Sequence, residues 1–353
     1  MTEILLQELT NTDIDWIVTS GERKQIPVGS ILAEPNEKPE FLHLILDGKL
    51  SVLTPGSATC AEQEIAQLLR GDILGLPALL ENRPMMSVVK AAEDLVILSL
   101  PRSQLVEKLR QDVYFAAHFY RVAALLLSER IRRMFENPER LSYREGQQVK
   151  EALFVFGEML DSDIDWLIST GTVKRLAANE VLAHAGRPVD SLHIILDGLL
   201  SISIPEGNYD PLSLCFAGLE KATRSQQTIA TISKGGMPGI VSFLDSRPLP
   251  ITIRSINESL IFAVPRLRLA VKLEEDPGFA SRFCRVIALQ ECELLYDVMS
   301  RLGCGQAVHN QQQRMDKDME YEDELDLDSL DQISQGANRF NWLLKRLGVG
   351  YAL

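Results

Sequence analysis

Short apolar runs separated by turn residues alternate along this chain with longer stretches of helical period. In LHLILDGKLSV (42–52) apolar residues alternate around Asp47-Gly48, and the Asp-Gly pair predicts a two-residue hairpin because glycine accepts positive φ. Several such runs at close spacing predict a β-sandwich or barrel. Two long helices are predicted downstream. One carries Phe115, Phe119, Val122, Leu126 and Met134 near a helical period, the other Phe279, Phe283, Val286, Leu294, Val298 and Leu302. Both exceed what capping a barrel needs, so they are candidates to pack on each other or across a homodimer.

The pattern occurs twice. TDIDWIVTSG (12–21) returns as SDIDWLISTG (162–171), and LHLILDGKLSV as LHIILDGLLSI (192–202). Residues 10–53 align on 160–203 without a gap, with 16 identities in 44 positions, which argues duplication rather than chance. The second copy then gains 14 residues before IAQLLRGDILG (65–75) meets IATISKGGMPG (229–239) and LPRSQLVEKLRQD (100–112) meets VPRLRLAVKLEED (264–276). The offset is thus 150 early in the repeat and 164 later. The expected organisation is a first domain over 1–136 and a second over 137–304. An acidic disordered linker over 305–338 and a C-terminal amphipathic helix over 339–353 follow.

Charge sharpens this division. The net charge is −13. Residues 316–331 hold nine acids and one lysine, whereas the last 22 residues hold Arg339, Lys345 and Arg346 and no acid. An acidic body with an acidic tract repels a phosphate backbone, so no nucleic-acid partner is expected. No apolar run approaches the roughly 20 residues of a membrane span. The five cysteines lack CxxC spacing, which suggests neither a disulfide framework nor a zinc site. A cytoplasmic location is the simplest reading, and no cofactor is expected.

A Trp-containing helix, a β-roll with its DG turn, a G-D-x-x-G turn, a loop and a long closing helix together resemble the cyclic nucleotide-binding domain. The resemblance covers about 5–135 and 155–302. It implies an α+β fold of two tandem β-rolls (jelly rolls), each flanked by helices. In that family the loop carries a phosphate-binding cassette, roughly F-G-E-L-A-L-x-x-x-x-P-R-A-A-T-V, whose Glu takes the ribose hydroxyl and whose Arg pairs with the phosphate. LGLPALLENRPMMSVV (74–89) lies on this pattern with Gly75 on the Gly, Leu76 on the Glu and Met85 on the Arg, followed by Met86 and Ser87. The second copy has Gly239, then Ile240 for the Glu and Leu249 for the Arg.

Hydrogen bonds to charged groups contribute about 1.5–3 kcal/mol each, so two losses weaken binding by about two to four decades. Arg83 and Arg247, two residues before the family arginine, are the alternative phosphate partners, against a plain surface role. The expectation is that ordinary cyclic nucleotide binding is lost or weak in both copies.

No catalytic motif stands out among the remaining residues. His43 and His193 repeat one strand position and read as structural. Asp13 and Asp163, with Asp15 and Asp165, precede a Trp helix and read as N-terminal caps. At the C-terminus Phe340, Leu343, Leu344 and Leu347 follow the i, i+3, i+4, i+7 spacing, with Trp342 beside them. That stripe can dock on the chain's own body, engage a protein partner's groove or lie on a membrane surface. The expected function is a non-enzymatic regulatory or scaffold protein with a protein partner bound through the long helices and C-terminal helix, and homodimerisation is a further expectation. The alternatives are a sensor of a non-standard small molecule and, less suited for want of a reading head, a DNA-binding regulator.

Overall fold

The computed structural model describes residues 1–54, 62–81, 84–135, 156–205, 226–248, 251–301 and 327–349. The chain divides into two compact units. The first holds 1–129 with 298–322, the second 130–297 with 323–353.

The first unit opens with α1 (Thr2–Glu8) and α2 (Asn11–Ser20). Its strands are β1 (Glu22–Ile26), β2 (Ile31–Ala33), β3 (Phe41–Asp47), β4 (Leu50–Leu53), β5 (Glu64–Leu68) and β6 (Ile73–Leu74). The short α3 (Leu76–Glu81) leads to β7 (Val88–Ala91) and β8 (Leu95–Pro101), followed by α4 (Arg102–Gln111) and α5 (Val113–Phe135). The strands form two antiparallel sheets, ordered β1-β8-β3-β6 and β2-β7-β4-β5. This is the expected β-roll.

The second unit repeats it with α6 (Asp161–Thr170), β9 (Thr172–Leu176), β10 (Val181–Ala183), β11 (Ser191–Asp197), β12 (Leu200–Pro205) and β13 (Gln226–Ile232). Then come α7 (Ile240–Asp245), β14 (Thr252–Ser255), β15 (Ser259–Pro265), α8 (Arg266–Glu275), α9 (Pro277–Arg301) and α10 (Leu327–Arg346). Its sheets run β11-β15-β9 and β10-β14-β12-β13.

The duplication extends to fine geometry. β3 and β11 each carry a register shift at the same place, between Ile45 and Asp47 and between Ile195 and Asp197. Trp16 meets Phe115 edge-on at 5.0 Å, and Trp166 meets Phe279 at 5.3 Å. Asp15 and Asp165, expected as caps, lie exposed inside the helices and cap nothing. Asp13 and Asp163, at the third helical position rather than before the helix, accept the backbone N–H of Thr10 at 2.9 Å and of Leu160 at 2.8 Å. Each also meets the long helix, but with different partners. Asp13 meets His118 at 2.8 Å, whereas Asp163 accepts two hydrogen bonds from Arg282 at 2.7 and 2.8 Å.

Two expectations need correction. The Asp47-Gly48 turn does not make a hairpin. β3 pairs with β6 and β8, whereas β4 pairs with β5 and β7, so the turn carries the chain from one sheet to the other. Gly48 is nevertheless required: its φ is +84° and a Cβ there would stand 2.6 Å from the Asp94 carbonyl. The C-terminal helix also starts at Leu327, within the span read as linker, and not at residue 339. The expected helix stripes are largely buried. Phe115, Phe119, Val122, Leu126, Met134, Phe279, Phe283 and Val286 lie in the core and Leu294 is half-buried, while the side chains of Val298 and Leu302 lie outside the described residues.

Candidate functional site

Both cassettes fold as a strand or loop end, a glycine corner, a short helix and a return to the sheet. In the first unit β6 pairs with β3, placing Leu74 opposite His43. Gly75 turns the chain at φ +90°, and its carbonyl accepts from Leu79 as α3 begins. Leu76, the first residue of α3, is fully buried in the core. After α3 the chain returns beside the β2–β3 connection. Met85 N–H donates to the Glu37 carbonyl at 2.8 Å and Asn36 N–H to the Met85 carbonyl at 2.8 Å. Met85 and Met86 are half-buried and Ser87 is buried. Arg83 lies outside the described residues.

A cavity of about 430 Å³ opens beside this cassette, lined by Gly75, Met85, Phe41 and His43 and by the charged Glu37, Lys38 and Glu40. Among the described lining residues two carboxylates stand against one ammonium, a balance unfavourable to a phosphate. His43 adds no charge near neutral pH. Its Nδ1 lies 2.9 Å from Ser99 Oγ, and burial, aided by nearby Lys24, lowers its pKa to about 4.

In the second unit Gly239 turns at φ +81° and accepts from Ser242 and Phe243. Ile240 is buried. Leu249 lies outside the described residues. Arg247, the candidate phosphate partner, is half-exposed and engaged with Asp245: its Nε donates to the carboxylate at 2.7 Å and its backbone N–H at 2.9 Å.

Two further arginines hold this cassette. Arg132, in the part of α5 that belongs to the second unit, is buried. It donates to both Asp245 oxygens at 3.1 and 2.9 Å and to the Pro248 carbonyl at 2.6 Å. Arg266, at the start of α8, donates to the Val189 carbonyl at 2.6 Å, the Ser242 carbonyl at 3.1 Å and Ser246 Oγ, and lies 4.9 Å over the Phe243 ring. Burial lowers its pKa. Positive charge therefore surrounds the second cassette, but it is directed at an internal carboxylate and backbone carbonyls. The sequence carried a signal for Arg266 in the repeated Pro-Arg of LPRSQL and VPRLRL. It carried none for Arg132, whose counterpart at the 164-residue offset is Tyr296.

The C-terminal helix is docked within the second unit. Phe340 and Leu343, offered by the sequence to a partner, are fully buried, with Phe340 5.1 Å from the Phe156 ring; Trp342, Leu344 and Leu347 are half-buried. Among the described residues no group of side chains is arranged to hold a metal, and no helix is long and apolar enough to cross a membrane.

A family model for the cyclic nucleotide-binding domain matches residues 23–112 and again 173–276, together more than half the chain. The chain belongs to the cyclic nucleotide-binding domain family. Two family modules therefore stand in tandem, each spanning one β-roll and its cassette. Among solved structures, the regulatory domain of Toxoplasma gondii PKA with cAMP is 14% identical over 77% of this chain and 89% of its own, with a TM-score of 0.29. The regulatory subunit of a cAMP-independent protein kinase A from Trypanosoma cruzi, bound to guanosine, is 15% identical over 79% and 86%, with a TM-score of 0.28. A putative cyclic nucleotide-binding protein from Geobacter metallireducens is 19% identical over 36% and 91%, with a TM-score of 0.32. No curated protein matches the chain.

Proposed function

We propose that this chain is a non-enzymatic regulatory or scaffold protein whose two cyclic nucleotide-binding folds act through protein contacts, with neither cassette retaining ordinary cyclic nucleotide binding. The supporting observation is the second cassette's use of its cations: Arg132 and Arg247 converge on Asp245, and Ile240 is buried where the family pattern has a carboxylate. A phosphate placed there would have to draw an arginine from Asp245 and leave a poorly solvated carboxylate behind, a cost that opposes binding. At the first cassette Leu76 is buried and the described part of the cavity rim carries more acid than base.

A second reading rests on the cavity itself. About 430 Å³ beside Met85 suits a small uncharged ligand. Native mass spectrometry of the full chain, purified without denaturation from its own cells, separates the readings. The scaffold reading expects the chain with added protein mass and no small ligand. A bound nucleotide contradicts it, and a bound non-nucleotide small molecule favours the sensor.

A further inference from the structure

The duplication gives each unit a template for the other. In the second unit α10 lies on α6, with Phe340 and Leu343 fully buried. Lys234 Nζ stands 5.5 Å over the Phe340 ring, beside Phe156. Arg339 donates to Asp161 at 3.0 Å and to the Gly157 carbonyl at 2.8 Å, and Arg346 lies 3.7 Å from Asp165. The repeat offsets carry these docking residues onto Leu6, Gln7, Asn11, Asp15 and Arg70 of the first unit.

There the equivalent face is uncovered among the described residues. An apolar groove of about 500 Å³ runs between α1, α2 and the β1-β8-β3-β6 sheet, with Leu6, Ile14, Val18, Leu44, Leu46 and Arg70 in its lining. Matched positions record the difference. Leu6 is 65% exposed where Phe156 is 0% exposed, and Val18 is 58% exposed where Ile168 is half-buried. Leu44 and Leu46 are half-buried where Ile194 and Leu196 are fully buried. A contiguous apolar cleft of this kind is a binding surface by its energetics, since covering it removes apolar area from water.

We propose that the first unit's groove docks an amphipathic helix of a partner protein, one patterned like α10. Its occupant carries an aromatic residue at the first apolar position, leucines three, four and seven positions later, and basic residues flanking the stripe. Arg70 stands where Lys234 covers the aromatic ring, and Asp15 stands where Asp165 meets the second cation. Asn11 replaces Asp161, so the first cation finds a hydrogen-bond acceptor there in place of a charge. Leu6 and Gln7 sit in the last turn of α1, where helix carbonyls lack intrahelical donors. A second copy of this chain is a poorer source of the helix, because giving up its α10 would bare its own Phe156. The inference rests on the protein-contact reading of function.

The test uses a fluorescein-labelled synthetic peptide of residues 336–349 titrated with the full-length chain by anisotropy. The expected result is saturable micromolar binding, weakened at least tenfold by L6E and by V18E in the chain, and by F340E in the peptide. Leu6 and Val18 are exposed, so both chain variants should keep the wild-type circular dichroism and melting temperature. Absence of saturable binding would overturn the proposal. So would binding unchanged in L6E and V18E, which means exchange with α10 on the second unit. Concentration-dependent self-association of the chain that L6E and V18E abolish would assign the groove to a second copy and equally overturn it. A failed peptide titration removes the groove proposal alone, whereas a nucleotide found on the chain removes the functional reading.

Discussion

Arg132 donates to both carboxylate oxygens of Asp245 across 113 residues of sequence, with each side chain about a tenth exposed. The pair closes the second cassette with a charge already satisfied inside the protein. Removing one member of a buried pair costs about 3–5 kcal/mol because the other charge is left uncompensated. R132M is therefore expected to lower the stability of the second unit by about that amount. D245N is expected to cost at least as much, since both Arg132 and Arg247 lose their charged partner. Chemical denaturation monitored by tryptophan fluorescence in a W16F background, which leaves Trp166 and Trp342 of the second unit, measures both. An unchanged midpoint in R132M would show the pair to be incidental.

The two strand histidines predict a pH dependence. Both have pKa values lowered to about 4, by burial first and then by Lys24 at His43 and Lys174 at His193. Unfolded, each returns to about 6.5, so between 6.5 and 4 the unfolded chain binds more protons. Stability is intact above about pH 6.5 and falls as pH drops towards 4. The loss approaches about 3 kcal/mol per histidine. H43N and H193N chains should each lose part of this acid sensitivity in denaturation midpoints measured from pH 7 to 4.5.

Ser99 stands opposite His43 and accepts or donates at Nδ1, but its counterpart opposite His193 is Ala263, and His193 Nδ1 is buried without a hydrogen-bond partner. S99A should destabilise the first unit by about 1–3 kcal/mol, the cost of an unsatisfied buried group. A263S places a hydroxyl opposite His193 and should stabilise the second by about 1 kcal/mol. Melting temperatures of the two variants check the pair, with opposite signs expected.

Phe340 anchors α10 on Phe156. F340A should cost about 3–5 kcal/mol, as Phe truncations in a packed core do. Hydrogen exchange should accelerate along the described part of α10 and at α6. Retained protection in α10 would mean that its docking does not depend on this ring.

Much of the fold was legible because the chain states it twice. Gap-free alignment from TDIDW to DGKLS fixed where each β-roll begins, and the Trp helices ended at Gly21 and Gly171 as their pattern implied. Strand pairing was less legible. An Asp-Gly pair announces a turn, but whether β3 continues into a hairpin or a corner depends on β7 and β8, whose pairing is non-local. The cassette's residue types were readable, whereas the burial of Leu76 and Ile240 and the closure by Arg132 were not. A helix that ends more than 100 residues before Asp245 gives no local sign of meeting it. The α10 stripe announced a contact face without naming the surface beneath it, because periodicity encodes a face and not a partner.

Titration calorimetry of the full-length chain with cAMP and with cGMP tests the central claim most directly. No saturable heat at ligand concentrations up to the millimolar range is the predicted result. A saturable complex with a low-micromolar Kd for either nucleotide would contradict the account, because the family's carboxylate and arginine positions hold Leu76 and Met85 in one cassette and Ile240 and Leu249 in the other.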